Sequence, residues 1–218
     1  MPQIFRPSAD TIARVVLVAV LVGPFLLIGL AYAFMRSSYT TGQDVTLRQP
    51  IPFSHKHHVG DIGLDCRYCH TSVEKSAFAG LPPTTTCMTC HSQLFTNARI
   101  LAPVRLSLAE HKPIHWQRVH RLPQYVYFDH SIHIAKGIGC TTCHGPVQTM
   151  PLMRQEAPLT MGWCLDCHRN PAPNLRPQSE IFSTHWTPPK DQIAEGKKLL
   201  VQYHIDTEHL TDCSRCHR

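Results

Sequence analysis

Every cysteine in this chain belongs to one short pattern. The ten cysteines form five copies of Cys-x-x-Cys-His: Cys66/Cys69/His70, Cys87/Cys90/His91, Cys140/Cys143/His144, Cys164/Cys167/His168 and Cys213/Cys216/His217. This is the attachment signature of c-type haem. The two thiols add to the two vinyl groups of one porphyrin, and the next histidine is placed to ligate the iron. Both thioethers and the ligand must reach one macrocycle from a single helical turn, which is why the spacing is strict. A zinc site takes two Cys-x-x-Cys halves, and five is odd. Neither zinc nor a redox disulfide demands a histidine after every copy. The pattern therefore implies five covalently bound haem c groups. With 182 residues after Arg36, each haem has about 36 residues. At that density the porphyrins themselves form the hydrophobic core, which agrees with the scarcity of aliphatic core formers outside the N-terminus.

Composition excludes other classes. The chain is 43% apolar and 17% charged, too polar for many membrane spans and too apolar for disorder. Sixteen histidines beside ten cysteines make it rich in soft metal ligands. The formal charge of +6 omits cofactors. Five haems bring about ten propionate charges, which takes the holoprotein to about −4. Fourteen of the 21 basic residues are arginine, whose planar guanidinium suits a carboxylate. A nucleic-acid surface is a poor reading of such a charge, and no phosphate-binding glycine loop occurs.

The N-terminus is a separate object. Val15–Met35 carries no charge and is bracketed by Arg14 and Arg36. As a helix its 21 residues span about 31 Å, one hydrocarbon core. Gly23, Pro24 and Gly29 are tolerable in such a helix, and Tyr32 and Tyr39 suit an interface. Ala31-Tyr32-Ala33 resembles the cleavage site of a signal peptide, but the apolar run is longer than a usual signal core, so a retained anchor is expected. Arg6 and Arg14 before the span balance Arg36 and Arg48 after it, so charge does not orient it. Haem c matures outside the bacterial cytoplasm, which does. The expected order is a cytoplasmic tail 1–14, a single anchor 15–35 in the bacterial cytoplasmic membrane, a linker 36–52, and a haem portion on the periplasmic side.

A repeat follows. Phe53-x-His55-x-x-His58 precedes motifs one and two, and Phe128-x-His130-x-x-His133 precedes motifs three and four. Two di-haem units are expected, 53–92 and 128–170, joined by 93–127, with 171–218 carrying the fifth haem. The fold class is mostly irregular and α, a haem-packed core with little or no β. Short helices are expected just after each motif and over 191–203, where Ile193, Leu199, Leu200 and Tyr203 form a stripe.

The proximal ligands are His70, His91, His144, His168 and His217. For the sixth position, the His-x-x-His pairs offer His55, His58, His130 and His133, since two residues three apart on one turn can serve two irons. His120 is the fifth candidate. His111 and His115 compete with it, and a Met150 or Met153 thioether is a further option. His57, His185, His204 and His209 read as surface or propionate-binding residues.

FSHKHHVGDIGLDCRYCHTSVEKSAFAGLPPTTTCMTCHSQ, RVHRLPQYVYFDHSIHIAKGIGCTTCHGPV, WCLDCHRNPAPNLRP and LTDCSRCHR resemble the membrane-anchored pentahaem cytochrome subunit of bacterial alternative complex III, over nearly the whole chain from residue 50. The resemblance implies an electron-carrying subunit of a quinol-oxidising respiratory complex. Its partners would be an iron–sulfur subunit and integral membrane subunits, with a monohaem cytochrome c or a terminal oxidase as acceptor. It also implies haem roles for the ten cysteines, the five proximal histidines, and His55, His58, His120, His130 and His133. A membrane-anchored tetrahaem quinol dehydrogenase is the alternative, but it has four motifs and no doubled Phe-x-His-x-x-His unit. A haem enzyme such as a nitrite reductase needs an open iron, and here every motif keeps its histidine. Val15–Met35 lacks Asp, Glu, His and Lys, so nothing in the span can take a proton from quinol.

Overall fold

The first helix starts seven residues before the uncharged run. In the computed structural model, which describes residues 5, 6 and 8–217, α1 spans Ser8–Met35. The expected tail 1–14 thus lies partly outside the described residues, at 1–4 and 7. An i,i+4 ion pair, Arg14–Asp10 at 2.9 Å, supports its exposed first turns. Pro24 sits inside the helix, and no side chain of it is buried. By length and composition α1 suffices to cross a membrane. It ends where Arg36 lies over the Tyr32 ring, 4.5 Å from its centre. A single turn, α2 (Ser38–Thr41), follows and is stopped by Gly42 at φ 71°.

Met1–Gln43 and Asp44–Arg218 are two compact units. The second holds α3 (Cys66–Cys69), α4 (Thr84–His91), α5 (Ala102–Ala109), α6 (His130–Ala135), α7 (Cys140–His144), α8 (Met161–Arg169) and α9 (Gln192–Gln202). A π-helical turn occupies Lys56–Asp61, and short 3-10 turns lie at Val147–Thr149 and Cys213–Arg215. Among the described residues there is no strand, only three isolated antiparallel bridges: Thr46 with Arg154, Val126 with His217, and Ile138 with Leu175.

The expectation of helices just after each motif is corrected. In motifs one to four the helix contains both cysteines, because two thiols and an imidazole meet one macrocycle most easily from the same turn. Motif five departs from this pattern at Cys216. Cys213 opens the 3-10 turn Cys213–Arg215, but Cys216 lies beyond its end, at φ −119° and ψ −24°. A neighbouring segment pairs with it: Tyr127 N donates to Cys216 O at 3.0 Å, and His217 bridges to Val126. Cys216 keeps αR backbone angles, and His217 N donates to Cys213 O at 2.9 Å as His70 N does to Cys66 O, so the motif still closes one turn.

Side chains cap the helices. Asp65 accepts from Arg67 N at 2.8 Å to start α3. Asp129 accepts from Ser131 N at 2.8 Å to start α6, and Thr160 starts α8. Asp, Ser and Thr are the expected N-caps, since their oxygens satisfy the free N–H groups of a first turn.

The two repeat turns dock reciprocally. The turn after Phe53 leans on the segment after motif three, with Lys56 N donating to Met150 O at 2.9 Å. The turn after Phe128 leans on the segment after motif one, with Ser131 N donating to Ser76 O at 3.3 Å. Segments 53–92 and 128–170 are therefore interlocked within one body.

Few aliphatic side chains are buried. Met150, Leu175 and Ile181 are the largest fully buried ones. Val73, Ile134 and Ile181 form a small cluster with Ala79, Cys140 and Phe182 around it. Of the expected stripe on α9, Leu199 is buried and Leu200 and Tyr203 half-buried, while Ile193 is exposed and Gly196 faces inward instead. A side chain at Gly196 would collide with the Ala172 carbonyl, so glycine lets the helix lie directly on Ala172–Asn174.

Candidate functional site

Imidazole orientation is set by backbone carbonyls. Nδ1 of His70 faces Gly80 O at 2.8 Å, Nδ1 of His91 faces Leu94 O at 3.2 Å, and Nδ1 of His168 faces Leu210 O at 3.0 Å. The same holds for His58 with Ser54 O at 2.9 Å, His130 with Ala77 O at 2.8 Å, and His133 with Asp129 O at 2.7 Å. A carbonyl only accepts, so each Nδ1 carries the proton and each Nε2 keeps a free lone pair. That is the tautomer a metal ligand needs, oriented by its outer partner.

The repeat is geometric as well as sequential. Phe53 meets His55 edge-on at 5.0 Å and lies 4.4 Å from His58, 22° from parallel. Phe128 meets His130 edge-on at 4.8 Å and lies 4.4 Å from His133, 30° from parallel. In each copy the phenyl ring wedges two imidazoles apart so that they point to different motifs.

Those imidazoles face proximal ones. Ring centres are 6.2 Å apart for His58 and His91, 6.3 Å for His130 and His144, and 6.1 Å for His133 and His168. Two imidazoles bonded at about 2 Å to opposite sides of one iron have centres about 6 Å apart. After loss of solvent, His70 is the largest charge influence on His55, followed by His58 and His120. Its Nδ1 is buried without a partner. Burial holds His55 at about 4 and His144 at about 3, so both stay neutral and able to ligate.

These observations fit haem. Among the described residues no three His, Cys, Asp or Glu side chains converge on a metal position. The cysteines are unpaired, eight of them half-buried, and large apolar residues beside the motifs, Leu81, Leu94 and Phe95, lie open.

Cys213 and Cys216 share the expected single turn, closed by His217 N on Cys213 O at 2.9 Å. As in motif two, one cysteine of the pair is exposed and the other half-buried: Cys213 and Cys216 here, Cys90 and Cys87 there. Cys216 also lies beside motif four. Burial raises the Cys164 thiol, and the nearby Cys216 raises it further.

The remaining candidates are placed as follows. His120 Nε2, the atom a ligand would offer, is 3.2 Å from His144 Nδ1. His217 meets the Tyr125 ring, centres 5.8 Å apart. His111 and His115 are exposed. Met150 is fully buried. His57 pairs with Asp61 at 3.5 Å and His209 with Asp212 at 3.1 Å, both in solvent.

Sequence reasoning passed over Arg176. It is 5% exposed, donates to Thr141 Oγ1 at 2.6 Å inside motif three, and lies 4.3 Å under the Trp186 ring. Among the described residues it faces no carboxylate at hydrogen-bonding distance, and loss of solvent lowers its pKa. Its signal was weak: an arginine among loop prolines. The carbonyls of Gly80, Ala77, Leu94 and Leu210 carry no sequence signal at all.

The profile described as cytochrome c7 and related cytochrome c matches residues 126–218. The chain is also similar to the menaquinone reductase multihaem cytochrome c subunit of Nitratidesulfovibrio vulgaris, 33% identical over 173 residues, covering 78% of this chain and 67% of that one. The chain belongs to the multihaem cytochrome c family. As a cytochrome c it binds haem covalently, and the iron supplies reversible one-electron chemistry. What this cytochrome's own residues add is orientation: capped turns aim the imidazoles, carbonyls hold their tautomers, and the phenyl wedges split each pair between two motifs.

Proposed function

We propose that this cytochrome is the electron-relaying subunit of a membrane complex that exchanges electrons with the quinone pool, of the alternative complex III kind, and that it carries five haems. The observation that carries the reading is the set of three imidazole pairs 6.1–6.3 Å apart, each matching an iron closed on both sides. A closed iron passes electrons but offers no position to a substrate. The proposed pairs are His70 with His55, His91 with His58, His144 with His130, and His168 with His133; His217 is the proximal ligand of the fifth. The Cys66/Cys69, Cys87/Cys90, Cys140/Cys143, Cys164/Cys167 and Cys213/Cys216 thiols would hold the five porphyrins. α1 would anchor the chain in the bacterial cytoplasmic membrane with Asp44–Arg218 on the periplasmic side. Quinol would be oxidised on integral membrane subunits, an iron–sulfur subunit would feed this chain, and a monohaem cytochrome c or terminal oxidase would receive from it.

A second reading is favoured by the name of the Nitratidesulfovibrio relative, a menaquinone reductase subunit: the same haems would carry electrons toward menaquinone. Purified five-haem protein, free of partners, is mixed with a reduced menaquinol analogue. Slow haem reduction that ignores quinol-site inhibitors, and accelerates when the partner subunits return, supports the first reading. Fast, inhibitor-sensitive reduction of the lone chain overturns it in favour of a quinol dehydrogenase. Oxidation of prereduced haems by menaquinone in the whole complex, without quinol oxidation, supports the second.

A further inference from the structure

Four sets of contacts order the motifs in space. Motif one touches motif two through Tyr68 Oη and Thr89 Oγ1, 2.6 Å apart. Motif one touches motif three across one short segment: Cys140 N donates to Ile181 O at 3.1 Å, and Cys66 Sγ lies 4.0 Å from Phe182 O. The Cys66 and Cys140 thiols also hydrogen-bond to each other, which lowers Cys66 and raises Cys140. Motifs three and four share α6, whose His130 faces His144 while His133, three residues on, faces His168. They also share the 174–176 segment, where Asn174 donates to Cys167 Sγ at 3.5 Å and Arg176 to Thr141 Oγ1 at 2.6 Å. Motif four touches the segment leading into motif five where Leu210 O, three residues before Cys213, accepts from His168 Nδ1 at 3.0 Å, and the Cys216 thiol raises that of Cys164.

The spatial order is thus two, one, three, four, five, and differs from chain order. Exposure agrees independently. Of the ten cysteines only Cys90, in motif two, and Cys213, in motif five, are exposed; the other eight are half-buried. Within motif five the half-buried Cys216 faces inward along the row and the exposed Cys213 outward.

We propose that this cytochrome is a single unbranched row whose two ends are motif two and motif five, and that its one-electron protein partners exchange electrons over those two motifs. The inference rests on the electron-relay reading above. At either end one electron passes between a partner's redox group and the terminal iron. At the entry end the donor is oxidised and ferric iron becomes ferrous; at the exit end ferrous iron returns to ferric and the acceptor is reduced; no bond or proton changes at either.

Chain order and spatial order make opposite statements about motif one: it is terminal in the first and the necessary link to motif two in the second. The test uses the full five-haem chain. A ruthenium photoreductant is attached at Glu208→Cys, five residues before motif five. The haem of motif two is tagged by His58→Met, since a methionine ligand raises its potential and changes its spectrum. A flash should reduce the tag in the otherwise intact protein. Removing the haem of motif one with Cys66→Ala and Cys69→Ala should abolish that arrival while the haems of motifs three to five still become reduced. Undiminished arrival overturns the row. If the double variant fails to mature, His55→Met serves instead. It makes the motif-one iron a trap, and delayed arrival at the tag supports the row while unchanged arrival overturns it. No arrival even in the intact protein sinks the relay reading itself, a result separable from the order.

Discussion

His120 and His144 share one proton: Nε2 of His120 lies 3.2 Å from Nδ1 of His144, with ring centres 4.4 Å apart and planes at 79°. His130 stands 6.3 Å from His144, centre to centre. With His144 Nδ1 as the donor and His120 Nε2 as the acceptor, His144 Nε2 is left free for an iron. His120 thus takes the place that a carbonyl takes behind His70, His91 and His168.

An imidazole acceptor behind a ligand makes that ligand more basic and favours ferric iron. His120→Ala is expected to leave every iron low-spin and six-coordinate and to raise one midpoint potential, measured by redox titration with electron paramagnetic resonance. His120→Asn, whose amide oxygen can accept, should restore part of the shift. A new high-spin haem that binds carbon monoxide would instead make His120 a direct ligand.

Because the phenyl wedges send neighbouring imidazoles to different motifs, single substitutions should open single irons. His130→Ala and His133→Ala are each expected to give one high-spin, carbon monoxide-binding haem, and these should be two different haems with distinct spectra. One shared spectrum for both variants would mean that α6 serves only one iron.

The Asp129 cap holds the turn that carries both ligands, accepting from Ser131 N at 2.8 Å and Ser131 Oγ at 2.6 Å. Asp129→Ala should cost about 1 kcal/mol, the usual loss for a helix cap. The expected signature is a lower midpoint in chemical denaturation together with a small high-spin fraction in two haems rather than one.

At Gly196 an added methyl meets the Ala172 carbonyl, which already accepts from Gln192 Nε2 at 3.1 Å. Gly196→Ala is expected to destabilise the chain by about 1–3 kcal/mol, as overpacking does. Thermal unfolding should shift downward while all five haems stay low-spin, because α9 carries no motif.

Mass spectrometry of the denatured protein should find five haems retained, the fifth on Cys213 and Cys216. A lower number after full maturation would break the one-haem-per-motif reading, as would bound zinc.

The sequence alone determined what was local. Cys-x-x-Cys-His is contiguous chemistry, legible because thiols and imidazole must act together on one macrocycle, and His-x-x-His was legible as a turn shared between two irons. The uncharged run before Arg36 was legible as a long helix for the same reason. Tertiary structure decided what depends on distant backbone. No side-chain pattern encodes that Gly80, Ala77 and Leu210 offer the carbonyls fixing each tautomer, because every residue has a carbonyl and only folding aims it. Cys216 has the same motif position as Cys69, and only folding pairs its carbonyl with Tyr127, far back in the chain. The reciprocal docking of Lys56 on Met150 and of Ser131 on Ser76 joins segments that lie far apart in the chain. His120 was legible as a candidate ligand by type and position; that its Nε2 lies beside His144 Nδ1 only folding decided. Residue type sets what a group can bind, but separation in space, which the chain order does not carry, sets which partner it meets.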